Sequence, residues 1–157
     1  MFKNGTIHDI VVKDLARHSD DRGWLVEIFR QDETEERFHP VMQYISMTHV
    51  GVARGPHEHV EQADYFAFLG PSDFKIYLWD DRKDSPTYRT KQVITAGESC
   101  PRIVIIPPGV VHAYRNVGTQ MGMVVNLPNR LYAGMGKKEK VDEIRHENDP
   151  GSPFILD

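Results

Sequence analysis

Residues 51 to 64, GVARGPHEHVEQAD, set His57 and His59 on alternate positions behind a Gly-rich turn. On a strand, residues i and i+2 face the same side, so the two imidazoles project together. Asp64 opens the next apolar run, DYFAFLG, and a hairpin return would bring its carboxylate alongside. Further on, PPGVVHAYRN leads out of a Pro-Pro-Gly turn into His112 and Asn116. Two kinds of chemistry follow. His57, His59, Asp64 and His112 make a donor set for a divalent ion such as Zn²⁺, Fe²⁺, Ni²⁺ or Mn²⁺. Alternatively, one imidazole is a general base beside Arg54, whose guanidinium grips a phosphate. The plain structural alternative leaves His59 and His112 as hydrogen-bonded pocket residues with no ion. His8, His18, His39, His49 and His146 lie in separated, mostly polar segments and are expected at the surface.

The elements that must position these residues are short strands. IHDIVV, WLVEIF, MQYISMTHV, DYFAFLG, FKIYLW, RTKQVI, RIVIIPP, VHAYRNV and GMVVNL are rich in β-branched and aromatic residues. Turn chemistry separates them, as at Asp20-Asp21-Arg22-Gly23, Gly70-Pro71-Ser72-Asp73, Asp84-Ser85-Pro86 and Pro107-Pro108-Gly109. About nine strands at this spacing predict an antiparallel sandwich or barrel. QDETEERFHP reads as a surface loop or single turn. The tail from Gly134, with KKEKVDEIRHEN inside it, reads as one short helix before an irregular end.

With 157 residues, 39% of them hydrophobic, the chain suffices for one domain, 1–157, with a barrel core over about 20–132. No apolar run is long enough to cross a bilayer, and MFKNGTIHDIVV lacks the sustained apolar stretch of a secretory signal. A single cysteine, Cys100, agrees with a reducing compartment, so a cytoplasmic protein without a membrane partner is expected. Net charge is -4 and no Lys/Arg cluster is interleaved with aromatics, which argues against nucleic acid as a partner. An anionic small molecule remains compatible, since a local pair of arginines binds phosphate on an acidic protein.

The two histidine segments resemble the paired motifs of the cupin superfamily. Gly51, His57 and His59 fit the first in register, with Asp64 in place of its glutamate; Pro107, Gly109, His112 and Asn116 fit the second. The resemblance implies an all-β cupin jelly-roll barrel, with the histidines in its mouth and a short irregular or helical C-terminal tail. Reading outward, DDRGWLVEIF, SMTHVGVARGPH, DDRKDSPTY and IIPPGVVHAY resemble four segments of the dTDP-4-dehydrorhamnose 3,5-epimerases, in the same order and over most of residues 20 to 132.

That second resemblance implies an isomerase of carbohydrate-epimerase type. It would act on a nucleotide-linked, dTDP-carried 4-keto-6-deoxy sugar for cell-surface polysaccharide synthesis, and it requires no cofactor. A base removes a proton beside the ketone, a donor supports the enolate oxygen, and an acid returns a proton to the opposite face. His57 corresponds to the family's base and Arg54 to a diphosphate or sugar contact. Asp21-Arg22-Gly23 corresponds to a segment lent across a homodimer, with Arg22 at the nucleotide. Tyr132 matches an aromatic position at the nucleotide base.

Departures from the family are as informative. Asp64 stands where the family has a lysine, and His59 where it usually has glutamine. Asn126 stands where the family's acidic tyrosine would be, which leaves it as a substrate contact. The aspartate that orients the basic histidine has no match, so Asp149 (or Asp157) is the available substitute. His112, Tyr114 and Tyr65 are the residues that could carry the other proton. Three readings remain open at this point: a sugar-nucleotide epimerase or ketoisomerase, a metal-dependent cupin isomerase or lyase, and a sugar-nucleotide or small-molecule binding cupin without activity.

Overall fold

The computed structural model describes residues 1–157, and its regular structure is strand. In chain order come β1 (Lys3–Asn4), β2 (Val11–Asp14), β3 (His18–Asp20), β4 (Gly23–Leu25), β5 (Tyr44–Thr48) and β6 (Ala53–Glu58). Then follow β7 (Asp64–Phe68), β8 (Asp73–Asp80), β9 (Thr90–Gly97), β10 (Arg102–Ile106), β11 (Val110–Asn116), β12 (Gly122–Asn126) and β13 (Ile144–Arg145). They form a six-stranded sheet, β1-β9-β8-β11-β6-β13, and a five-stranded sheet, β2-β10-β7-β12-β5. β3 and β4 make a separate hairpin. All pairings are antiparallel except β1 with β9. This is the all-β jelly-roll expected from the histidine motifs.

Alternation along the strands explains why so many of them read as continuous apolar runs. Phe66 and Phe68 of β7 point between the sheets with Phe74, Ile76, Leu78, Val104 and Ile106. Tyr65, Ala67 and Leu69 point the other way, into a second core with Ile103 and Ile105. Each outer face is covered in part. Residues 26–38 cover the five-stranded sheet with Val26, Ile28, Phe29 and Phe38, pinned where Tyr65 donates its hydroxyl proton to the Ile28 carbonyl at 2.7 Å. The C-terminus covers the six-stranded sheet, where Phe154 packs edge-on to Trp79. A strand buried on both faces carries apolar residues at every position.

Not every element follows expectation. WLVEIF contributes only its first residues to β4, because its remainder is needed as cover for the five-stranded sheet. QDETEERFHP does form short 3-10 turns, Gln31–Glu33 and Glu36–Phe38. The tail holds a 3-10 turn, Met135–Lys137, but no helix at KKEKVDEIRHEN. Ile144 and Arg145 instead pair with Glu58 and His57 as β13, since the open edge of β6 offers backbone partners that override a helical charge pattern. Nor do β6 and β7 form a hairpin: the chain crosses from one sheet to the other between them.

Candidate active site

That crossing builds the site. His57 on β6 faces His112 on β11 in register, and their rings lie 4.4 Å apart, edge to face. The pairing slips by one residue at Gly55-Pro56, so the bulge aims His57 inward. Gly55 is obligatory there. Its φ is +80°, and a Cβ would lie 2.6 Å from the His112 carbonyl oxygen. His59 sits just past β6, its ring 5.5 Å from that of His57. Asp64 arrives from the opposing sheet, at the start of β7, fully buried. The four expected donor residues therefore converge, with one ligand atom from each within 4.8 Å of the others.

Hydrogen bonds fix how each ring points. His59 Nδ1 faces the Asp142 carbonyl and His112 Nδ1 faces the Val110 carbonyl at 3.0 Å, so each Nδ1 is the donor. Both rings then present Nε2 to Asp64 Oδ2, at 3.2 and 3.0 Å. His112 Nε2 and Asp64 Oδ2 are buried and out of line for a hydrogen bond. Burial alone would raise the Asp64 carboxyl, but the two imidazoles outweigh it and hold it well below the usual range. Burial likewise works against the His59 cation, and the adjoining Asp64 carboxylate overcomes it, lifting that imidazole to about 9. His57 goes the other way. Desolvation, then the neighbouring His112, drives it down to about 2 and keeps its ring neutral. Its nitrogens have no protein partner, in contrast to the two rings beside it.

A cavity of about 1160 Å³ opens above these rings. Tyr44, Ser46, Phe66 and Tyr114 form its inner wall, and Arg54, Arg130, Tyr132, Lys137, Lys140 and Arg145 stand among its lining. Arg130 and Arg145 are already paired with Glu61 and Glu143. Arg54 bonds only to neutral oxygens, Thr48 Oγ1 at 3.0 Å and the Met47 carbonyl at 2.8 Å, so its charge is free for an anion. The tail closes one side. Asp142 accepts the backbone N–H groups of Val60, Glu61 and Gln62 at 2.8, 2.9 and 2.8 Å, tying the β13 segment over the loop that carries His59.

Several expected site residues lie elsewhere. Asn126 is wholly buried and does not line the cavity; its Oδ1 accepts the Tyr65 N–H, and its Nδ2 donates to Asp64 Oδ1 at 2.8 Å and Tyr44 Oη at 2.9 Å. Set behind the wall, it holds other residues rather than a ligand. Asp149 is exposed in a turn of the tail, where it accepts the Gly151 N–H. Asp157 pairs with Lys75 at the surface. Arg22 is exposed at the tip of the β3–β4 hairpin, paired with Asp20 outside the cavity. Tyr65 turns its hydroxyl to the outer core, and Tyr114 shares its hydroxyl with Ser46 Oγ at 3.0 Å. Of the five histidines expected at the surface, His8, His18 and His49 are exposed. His39 and His146 are half-buried; His146 meets Glu58 at 2.9 Å and packs edge-on against Phe154. Tyr44, which no sequence motif marked, is at the site.

The profile of the dTDP-4-dehydrorhamnose 3,5-epimerase family matches residues 4–141. The chain belongs to that family. Among named relatives of this epimerase family member is the probable low-salt glycan biosynthesis epimerase Agl13 of Haloferax volcanii, 38% identical over 80% of this chain and 81% of its own length. The spore coat polysaccharide biosynthesis protein SpsL of Bacillus subtilis is 36% identical over 71% of this chain and 73% of its own. A solved dTDP sugar isomerase from Desulfovibrio desulfuricans shares the fold, with a TM-score of 0.82 at 20% identity over 95% of this chain and 91% of that one. The likeness read from four short segments thus extends across nearly the whole chain.

Proposed function

We propose that the protein epimerises a 4-keto-6-deoxy sugar carried on dTDP. The observation that carries this reading is His57: a neutral imidazole, free of protein partners, on the floor of a large cavity. Carbons beside a ketone hold acidified protons, and a neutral imidazole is the form that accepts one. Substrate charge and the enolate oxygen beside His57 raise its affinity for that proton. Arg54 binds the diphosphate, Tyr132 on the rim meets the nucleotide base, and no cofactor is required. His112 and Asp64 set the floor against which His57 is aimed. The relatives' names, glycan and spore coat polysaccharide biosynthesis, support a role in supplying a sugar precursor for surface polysaccharide.

The working unit on this reading is a homodimer. Trp24 and Leu25 on the β3–β4 hairpin are mostly exposed, and β5 leaves one edge of its sheet open. Apolar residues on a projecting hairpin suit burial against a second copy. Arg22 at the tip is then lent to the neighbouring cavity. The experiment is incubation with dTDP-4-keto-6-deoxyglucose, following ring-proton couplings by NMR. Appearance of a C3, C5 or doubly inverted 4-keto sugar is expected; an unchanged spectrum from folded protein would overturn the reading.

A second reading has an observation of its own. Two imidazoles hold Nδ1 on backbone carbonyls and turn Nε2 to one carboxylate, and His112 Nε2 and Asp64 Oδ2 are buried without a hydrogen-bond partner. Histidines fixed through their second nitrogen are the arrangement metal ligands adopt. His57, His59, Asp64 and His112 fit a divalent ion, which when bound would supply Lewis acidity at the keto oxygen. Elemental analysis decides: about one ion per chain, lost in His59→Gln, favours this reading, and metal-free active protein removes it.

A further inference from the structure

Inversion needs two proton carriers on opposite faces of the sugar, and His57 supplies one. We propose that Tyr44 is the other, the acid that delivers a proton from the opposing wall. This rests on the epimerase reading and names the residue which completes it. His57 lies on the six-stranded sheet and Tyr44 on the five-stranded sheet, and both line the cavity. A ligand between the sheets therefore has one on each side.

Tyr44 lines the cavity with a hydroxyl whose proton meets no protein acceptor. Tyr65 gives its hydroxyl proton to the Ile28 carbonyl, outside the cavity. The Tyr114 hydroxyl is shared with Ser46. Tyr132 is on the rim, 58% exposed. Tyr44 Oη accepts the Asn126 amide proton, and no protein oxygen takes its own. That amide does two things at once. It orients the phenol by occupying a lone pair, and it stands ready to bond the phenolate left behind. The register makes the arrangement specific, since Tyr44 and Asn126 are directly paired across β5 and β12. Burial of the hydroxyl, then the charge of Asp64, pushes the phenol up to about 12, so it rests protonated.

The step balances without a co-reactant. The C–H bond beside the ketone breaks, His57 takes the proton, and the electron pair moves onto the keto oxygen. The enolate then collapses, forming a C–H bond on the opposite face with the Tyr44 proton. Imidazolium and phenolate return to their resting forms by exchange with water. Tyr44→Phe removes one oxygen from a half-exposed side chain, and a melting curve confirms its fold.

The test runs wild type and Tyr44→Phe in D2O, reading deuterium uptake and inverted product separately by NMR. The expected result is loss of inverted product by about 100-fold or more, with uptake continuing and stereochemistry retained, because His57 returns deuterium to the face it came from. Inversion by the variant within about threefold of wild type overturns the assignment. So does equal loss of uptake and inversion, which marks a residue that only seats the substrate. Wild type without uptake or inversion overturns the epimerase reading itself, and with it this assignment.

Discussion

Asp80 ends β8 with its side chain fully buried, and Asp80→Asn should cost stability in a pH-dependent way. Its Oδ1 accepts the Arg82 backbone N–H and Nε at 3.2 and 2.9 Å. Its Oδ2 accepts Arg82 Nη2, Ser85 Oγ and Thr87 Oγ1 at 3.0, 2.6 and 2.6 Å. An asparagine NH2 in place of Oδ2 would face three donors, of which only the two hydroxyls can turn. Burial raises the Asp80 carboxyl, and these bonds reverse that, taking it from 3.8 down to about 2. The depression corresponds to about 2 kcal/mol favouring the folded, ionised state. Because the folded value lies below the unfolded one, this stability is fully present above about pH 4 and is lost as pH falls through 2. Thermal denaturation at pH 7 should place Asp80→Asn roughly 5–10 °C below wild type. At pH 3 about half of the gap should remain. Arg82 in turn packs on Gly109, where a Cβ would meet its Cγ at 2.9 Å, and the Gly109 N–H bonds the His59 carbonyl. Asp80 thus braces the turn leading to His112. An Asp80→Asn protein as stable as wild type at pH 7, or a gap that does not shrink on acidification, would refute this reasoning.

Other substitutions probe other parts of the account. Arg54→Ala should raise KM for the dTDP sugar by roughly 10- to 100-fold, the worth of a charge-assisted phosphate contact, with a smaller effect on kcat in steady-state assays. Gly55→Ala should destabilise by about 2 kcal/mol or more in urea titrations, from positive φ and the clash with the His112 carbonyl together. Replacing Trp24 and Leu25 together by serine should shift sedimentation toward monomer without lowering the melting temperature of the barrel. A variant that sediments as wild type would remove the hairpin from the interface.

Much of the fold was legible because its chemistry is local. The β-branched and aromatic content of β7 and β10, and the Pro-Pro-Gly turn before His112, are properties of adjacent residues, and so is the projection of His57 with His59. What the sequence hid were relations between strands. Asp64 does lie beside the histidines, but it reaches them across the sandwich rather than by a hairpin. Asn126 looked like a ligand contact because a motif gives position without depth; the barrel places it behind the wall. Tyr44 carried no signal at all, since its role comes from lying opposite Asn126 on a neighbouring strand. The tail's charged residues have good helix propensity, but the open edge of β6 captures Ile144 and Arg145 as a strand, a partner no local pattern reveals.

The central claim is proton abstraction by His57 beside a ketone. Its most direct test is deuterium uptake from D2O at C3 and C5 of dTDP-4-keto-6-deoxyglucose, comparing wild type with His57→Gln. The account predicts uptake at one or both carbons with wild type and a loss of about 100- to 10,000-fold in the variant. Uptake by His57→Gln at the wild-type rate would contradict it.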